Sequence, residues 1–70
     1  MFGRKFVLRV VPDAEGHWRI VAGDIEEGRF LRKREATTVG REIVRKRGGG
    51  EIVVQSLSGR ITERDSVPAP

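Results

Sequence analysis

Between Ala36 and Val44 the apolar residues recur three and four positions apart, whereas in the stretches on either side they recur every second position. That change of period constrains the fold more than any other feature, because it asks for one helix set among strands. Ala36, Val39, Gly40, Ile43 and Val44 fall at i, i+3, i+4, i+7 and i+8, the stripe of a single amphipathic helix. The spacing predicts a helix over residues 33–47. No Ser, Thr or Asp stands just before it as an N-cap. Its end is better marked: Gly48 suits a left-handed C-cap, and basic residues fill the last turn, where the helix dipole favours them. Gly49 and Gly50 then read as a flexible link.

The flanking segments read as strands. "KFVLRVV" is rich in β-branched and aromatic residues and stops at Pro12. "PDAEG" supplies turn residues before "HWRIVAG", so the two segments form an antiparallel hairpin. Alternation places Phe6, Leu8 and Val10 on one face with Trp18, Ile20 and Ala22. "DIEEGRFL" is acidic, turns at Gly28 and offers Phe30 and Leu31 as core anchors before the helix. "EIVVQSL" and "RITER" give a second hairpin through Ser58-Gly59. The expected fold is α+β, in the order ββαββ: a four-stranded antiparallel sheet with one helix packed on one face. Residues 1–66 form a single small domain, and residues 67–70 a flexible tail.

Seventy residues without a cysteine leave packing, tight turns and self-association as the means of stability. No run approaches the roughly 20 apolar residues of a membrane span. Arg9 interrupts the apolar start, and no small-residue cleavage site follows, so a strand is expected there rather than a signal peptide, and a cytoplasmic location.

The net charge of +4 is unevenly spread. Positions 29 to 47 hold eight Lys or Arg and two Glu, a local +6, and the rest of the chain sums to −2. At 100° per residue Arg34, Thr38, Arg41 and Arg45 line up opposite Ala36 and Ile43. Arg34, Arg41 and Arg45, with Lys46 beside them, are the candidate contacts to a phosphate backbone, for which the forked guanidinium donors are suited. The alternative is a solvated face whose arginines pair with acids from the turns, either Asp13 and Glu15 or residues 24–27. Phe6, Trp18 and Phe30 are expected in the core, which leaves little for base stacking, so binding would follow backbone and shape.

The sheet face away from the helix is expected to carry Val7, Val11, Val21, Val53 and Leu57 beside Arg9, Arg19, Gln55 and Thr62. That is more apolar than a wet face requires. Val7, Val21, Val53 and Leu57 are therefore the candidate dimer face of a rival reading, a protein-interaction or homodimerisation module that uses this face or an edge strand.

Enzymatic chemistry is not expected. Ser56, Ser58 and Ser66 have one distant histidine and no nucleophile elbow, and Glu63 and Asp65 read as solvated charges at a strand end. His17, the one histidine of a chain without thiols, makes a poor metal site, so no metal and no cofactor are expected. The glycines 48–50 follow a helix rather than precede one, where the dipole repels anions, so they are not a phosphate loop.

Three stretches together resemble a family of small bacterial domains, domain of unknown function 2188. "VVPDAEGHW" is similar to its opening, "REATTVGREIVRKRGG" to its helix with a basic, glycine-ended finish, and "EIVVQSLSGRITERDS" to its closing hairpin. The chain departs from the family pattern before the helix, where "FLRKRE" replaces a Thr or Asp cap, and at Val67, where an aromatic often stands. The resemblance supports the ββαββ order and implies no activity.

Overall fold

In the computed structural model, which describes residues 5–70, the chain runs β1 (Val7–Pro12), β2 (Trp18–Ala22), β3 (Ile25–Phe30), α1 (Lys33–Lys46), β4 (Gly50–Gln55) and β5 (Ile61–Val67). The sheet has five strands in the order β3-β2-β1-β4-β5. The α+β class and the single helix on one face are as expected. The four-stranded antiparallel sheet is not: the sheet is mixed, with β1 and β4 parallel and the other pairs antiparallel.

Both differences have one cause, the acidic segment before the helix, which is a strand and not merely a turn. With β3 present the chain reaches the far end of the sheet, α1 carries it back, and β4 sets off in the direction of β1. With two strands before the helix, β4 would have run against β1. The β2–β3 ladder breaks register between Ile20 and Val21, leaving Glu27 as the extra residue of a bulge. Leu31, expected in the core, is exposed beyond the end of β3. Phe30 does pack on the core, opposite Trp18.

Leu8, Val10, Ile20, Ile52, Val54 and Val67 of the sheet meet Ala36 and Val44 of the helix in one buried cluster. Phe6, Trp18, Ala22, Phe30 and Ile43 close its margins. Val67, assigned to the tail by sequence, ends β5 and is buried in this core. Gly40 is where the helix approaches the sheet most closely: a Cβ there would lie 2.8 Å from Leu8 Cδ2 and 2.9 Å from Ile52 Cδ1. Gly40→Ala sets an overpacking cost of about 1–3 kcal/mol against a helix-propensity gain of about 1 kcal/mol. The melting temperature is expected to fall by about 4–8 °C in a thermal scan, the shift for roughly 1 kcal/mol in a domain of this size.

The end of α1 forms as expected. Arg47 caps it, with Gly48 N donating to Arg45 O at 3.1 Å and Gly49 N to Val44 O at 2.9 Å. The glycines beyond are not a loose link, since Gly50 lies directly against the Phe6 carbonyl and Gly49 against the backbone of residues 67–69. Among the described residues no helix is long and apolar enough to cross a membrane.

Candidate functional site

The core stripe of α1 turns the opposite side of the helix outward, so Arg34, Thr38, Arg41, Arg45 and Lys46 are all exposed. The helix starts from Arg32, an extended residue that makes no side-chain cap. The ridge divides into two kinds of cation. Arg41 donates to Asp65 of β5, and Arg45 donates to both carboxylate oxygens of Glu42, through Nε at 3.3 Å. Lys33 meets Glu63 at 2.9 Å, and Arg47 meets Glu27 at 2.8 Å while its guanidinium lies 5.0 Å from the centre of the Phe6 ring. By contrast, among the described residues no carboxylate lies within 4.0 Å of Arg34 or Lys46.

Glu63 and Asp65 are the partners that sequence reasoning left in solvent. They alternate with the buried Val67, so both face the helix side of the sheet. That alternation was the signal available in the sequence. Of the turn acids, residues 24–27 supply one helix partner, Glu27. Asp13 instead organises its own turn: its Oδ1 accepts from the backbone N–H groups of Glu15 and His17, each at 2.9 Å.

Two carboxyl groups are held below their ordinary values. For Glu42 the main cause is the hydrogen bond from Arg45, which outweighs a smaller desolvation effect. For Asp13 desolvation pushes upward, but the His17 and Glu15 backbone bonds together outweigh it. A carboxyl depressed by folding stabilises the native state above its unfolded value and loses that contribution as pH falls through the folded one. The urea midpoint is therefore expected to be flat above the ordinary values of 4.5 and 3.8 and to decline below them. Asp13→Ala should flatten part of that decline.

The open face of the sheet differs from the expected apolar patch. Arg9 stands directly between Val21 of β2 and Val53 of β4, and these valines retain 7% and 4% of their accessibility. Arg9 is half-buried, and its guanidinium donates to Gln55 Oε1 at 3.1 Å and to the Gly23 carbonyl at 3.3 Å. Val7, at 37%, is the more accessible valine, and Leu57, at 72%, lies in the turn between β4 and β5 rather than on the sheet. The structure thus does not gather Val7, Val21, Val53 and Leu57 into one exposed patch.

Asp13, Glu15 and His17 each place one ligand atom within 4.8 Å of the others. Asp13 Oδ1 is already engaged by two backbone donors, and the hydroxyls of Ser56 and Ser58 bond to each other at 2.9 Å, far along the chain from His17.

A five-stranded mixed sheet with one helix across it and charged outer surfaces on both sides defines a small α+β domain. The family described as uncharacterized protein conserved in bacteria, domain of unknown function 2188, matches residues 8–67, and the chain belongs to that family. No curated protein and no solved structure is significantly similar to the chain.

Proposed function

We propose that this domain is a non-enzymatic binding module that grips a polyanion, nucleic acid foremost, by its phosphate backbone, and that Arg34, Arg41, Arg45 and Lys46 on the outer face of α1 make the contacts. The observation that carries this reading is the exposed line of Arg34, Arg41 and Arg45 along α1, with Lys46 about 100° further round the last turn and with no carboxylate within 4.0 Å of Arg34 or Lys46 among the described residues. Arg41 and Arg45 fall within about 20° of Arg34 around the helix. Their carboxylate partners are themselves exposed, and such pairs are weak and screened by salt, so a phosphate can replace them. The described aromatic side chains, Phe6, Trp18 and Phe30, pack on the core rather than standing free for stacking, which supports backbone recognition over base reading.

A gel-shift titration at about 50 mM salt, where phosphate contacts are least screened, tests the proposal with three probes: duplex DNA, structured RNA and polyglutamate. Retardation of at least one nucleic acid is expected. Retardation of polyglutamate alone would move the partner to an acidic protein, and retardation of none would remove the proposal.

A further inference from the structure

Counted on the folded molecule, the positive charge is not confined to the helix side, where the sequence concentrates it. On the helix side seven cations face five carboxylates, a net +2, because β3 and β5 bring Glu27, Glu63 and Asp65 to the helix. On the opposite face the cations Lys5, Arg9, Arg19, Arg29 and Arg64 face only Glu26 and Glu51, a net +3.

The carboxylates there are shared. Glu26 lies 3.3 Å from Arg19 and 3.5 Å from Arg29, and Glu51 lies 3.7 Å from Arg64 and 4.0 Å from Lys5. Each acid therefore leaves one cation in excess. Arg9 has neutral partners, Gln55 Oε1 at 3.1 Å and the Gly23 carbonyl at 3.3 Å, so its charge is uncompensated. Arg19 and Arg29 sit directly opposite each other on neighbouring strands, an arrangement that costs stability, and Arg19 Nε is buried with no hydrogen-bond partner among the described residues. By register, Arg29 and Arg19 occupy one level of the sheet, with Arg9 and Arg64 two residues below. At about 4.8 Å between strands this band crosses roughly 19 Å of surface.

We infer that the open sheet face is a second phosphate-backbone contact surface, so that one domain bridges two segments of nucleic acid. The inference rests on the proposed binding by α1 and adds a second site to it. Charge complementarity supplies the occupant: a band of guanidinium groups short of carboxylates matches a line of phosphates. The geometry supplies the bridging. The two basic faces lie on opposite sides of a helix-on-sheet layer, in a molecule about 20 Å across its short dimensions, so a straight duplex lying on one face cannot reach the other.

The test is a capture assay. Biotinylated duplex DNA on beads is mixed with a fluorescent duplex and the protein at low salt, and retained fluorescence is read. The native protein is expected to retain the second duplex. Arg29→Gln with Arg64→Gln, two exposed edge-strand positions, should cut retention about ten-fold or more while binding to a single duplex falls no more than about three-fold. Circular dichroism checks that this variant folds, and Arg64→Gln alone serves if the pair does not. Binding of one duplex without capture of the second would overturn the inference and leave the proposed function standing, whereas binding of neither would sink both. A protein that is already dimeric by light scattering without DNA, and that bridges only as a dimer, would also overturn it, because the face would then be an interface between copies.

Discussion

Gly50→Ala is expected to lower the melting temperature by about 12–24 °C, the shift for roughly 3 kcal/mol in a chain of this length. Gly50 opens β4 at φ +156° with its α-carbon against the Phe6 carbonyl, the oxygen that also accepts from Glu51 N at 2.8 Å. A methyl group there meets backbone, which cannot rotate away as a side-chain tip can. Positive-φ strain costs about 1–3 kcal/mol, and overpacking a similar amount. The loss falls where β4 joins β1, the pairing that ties the two hairpins together. A domain of this size has a total margin of about 4–10 kcal/mol. Gly48→Ala is the control: φ is +97°, but nothing lies within 4 Å of the added carbon, so only conformational strain of about 1 kcal/mol applies. Similar melting temperatures for the two variants would show that close packing at Gly50 does not matter.

The second large effect concerns binding. Neutralising Arg34, Arg41, Arg45 and Lys46 to Gln together is expected to weaken nucleic-acid binding by α1 at least about a hundred-fold at 50 mM salt, since each phosphate contact releases about one counterion. Gln is preferable to Glu, because a glutamate at position 41 would face Asp65 and one at position 45 would sit beside Glu42. Arg34→Gln with Lys46→Gln should give a smaller loss with no disturbance of ion pairs. Affinity unchanged when the four substitutions are added to the Arg29→Gln, Arg64→Gln protein, read by fluorescence anisotropy, would exclude the helix as the contact surface.

Much of the fold was legible because its signals are local. Leu8, Val10 and Ile20 alternate cleanly, and Ala36, Gly40 and Val44 repeat at helical spacing, so the first hairpin and the helix follow from pattern. β3 was not legible as a strand. Its residues Ile25, Glu26, Glu27, Gly28 and Arg29 lack an alternating apolar face, since an edge strand with a bulge needs few buried side chains. Missing that one strand reversed the inferred direction of β4, because each added strand changes the end of the sheet from which the helix departs. The candidate site was legible in its cations and only partly in their partners, since Glu27 falls among the turn acids expected to pair with the arginines. Arg34, Arg41 and Arg45 align through helical geometry alone, whereas Asp65 reaches Arg41 only through the β4–β5 register and the crossing of α1 over the sheet. The open face was misjudged for a related reason: Val21 and Val53 were counted as apolar surface, but Arg9 lies between them.

The central claim, that the ridge of α1 contacts a phosphate backbone, is tested most directly by the salt dependence of binding. A labelled duplex is titrated with the Arg29→Gln, Arg64→Gln protein, in which α1 is the remaining contact face, by anisotropy between about 50 and 200 mM salt. Four contacts predict a slope of log K against log salt of about −3.6, a loss of roughly 150-fold in affinity over that range. A complex whose affinity does not change with salt, or no complex at the lowest salt, would contradict it.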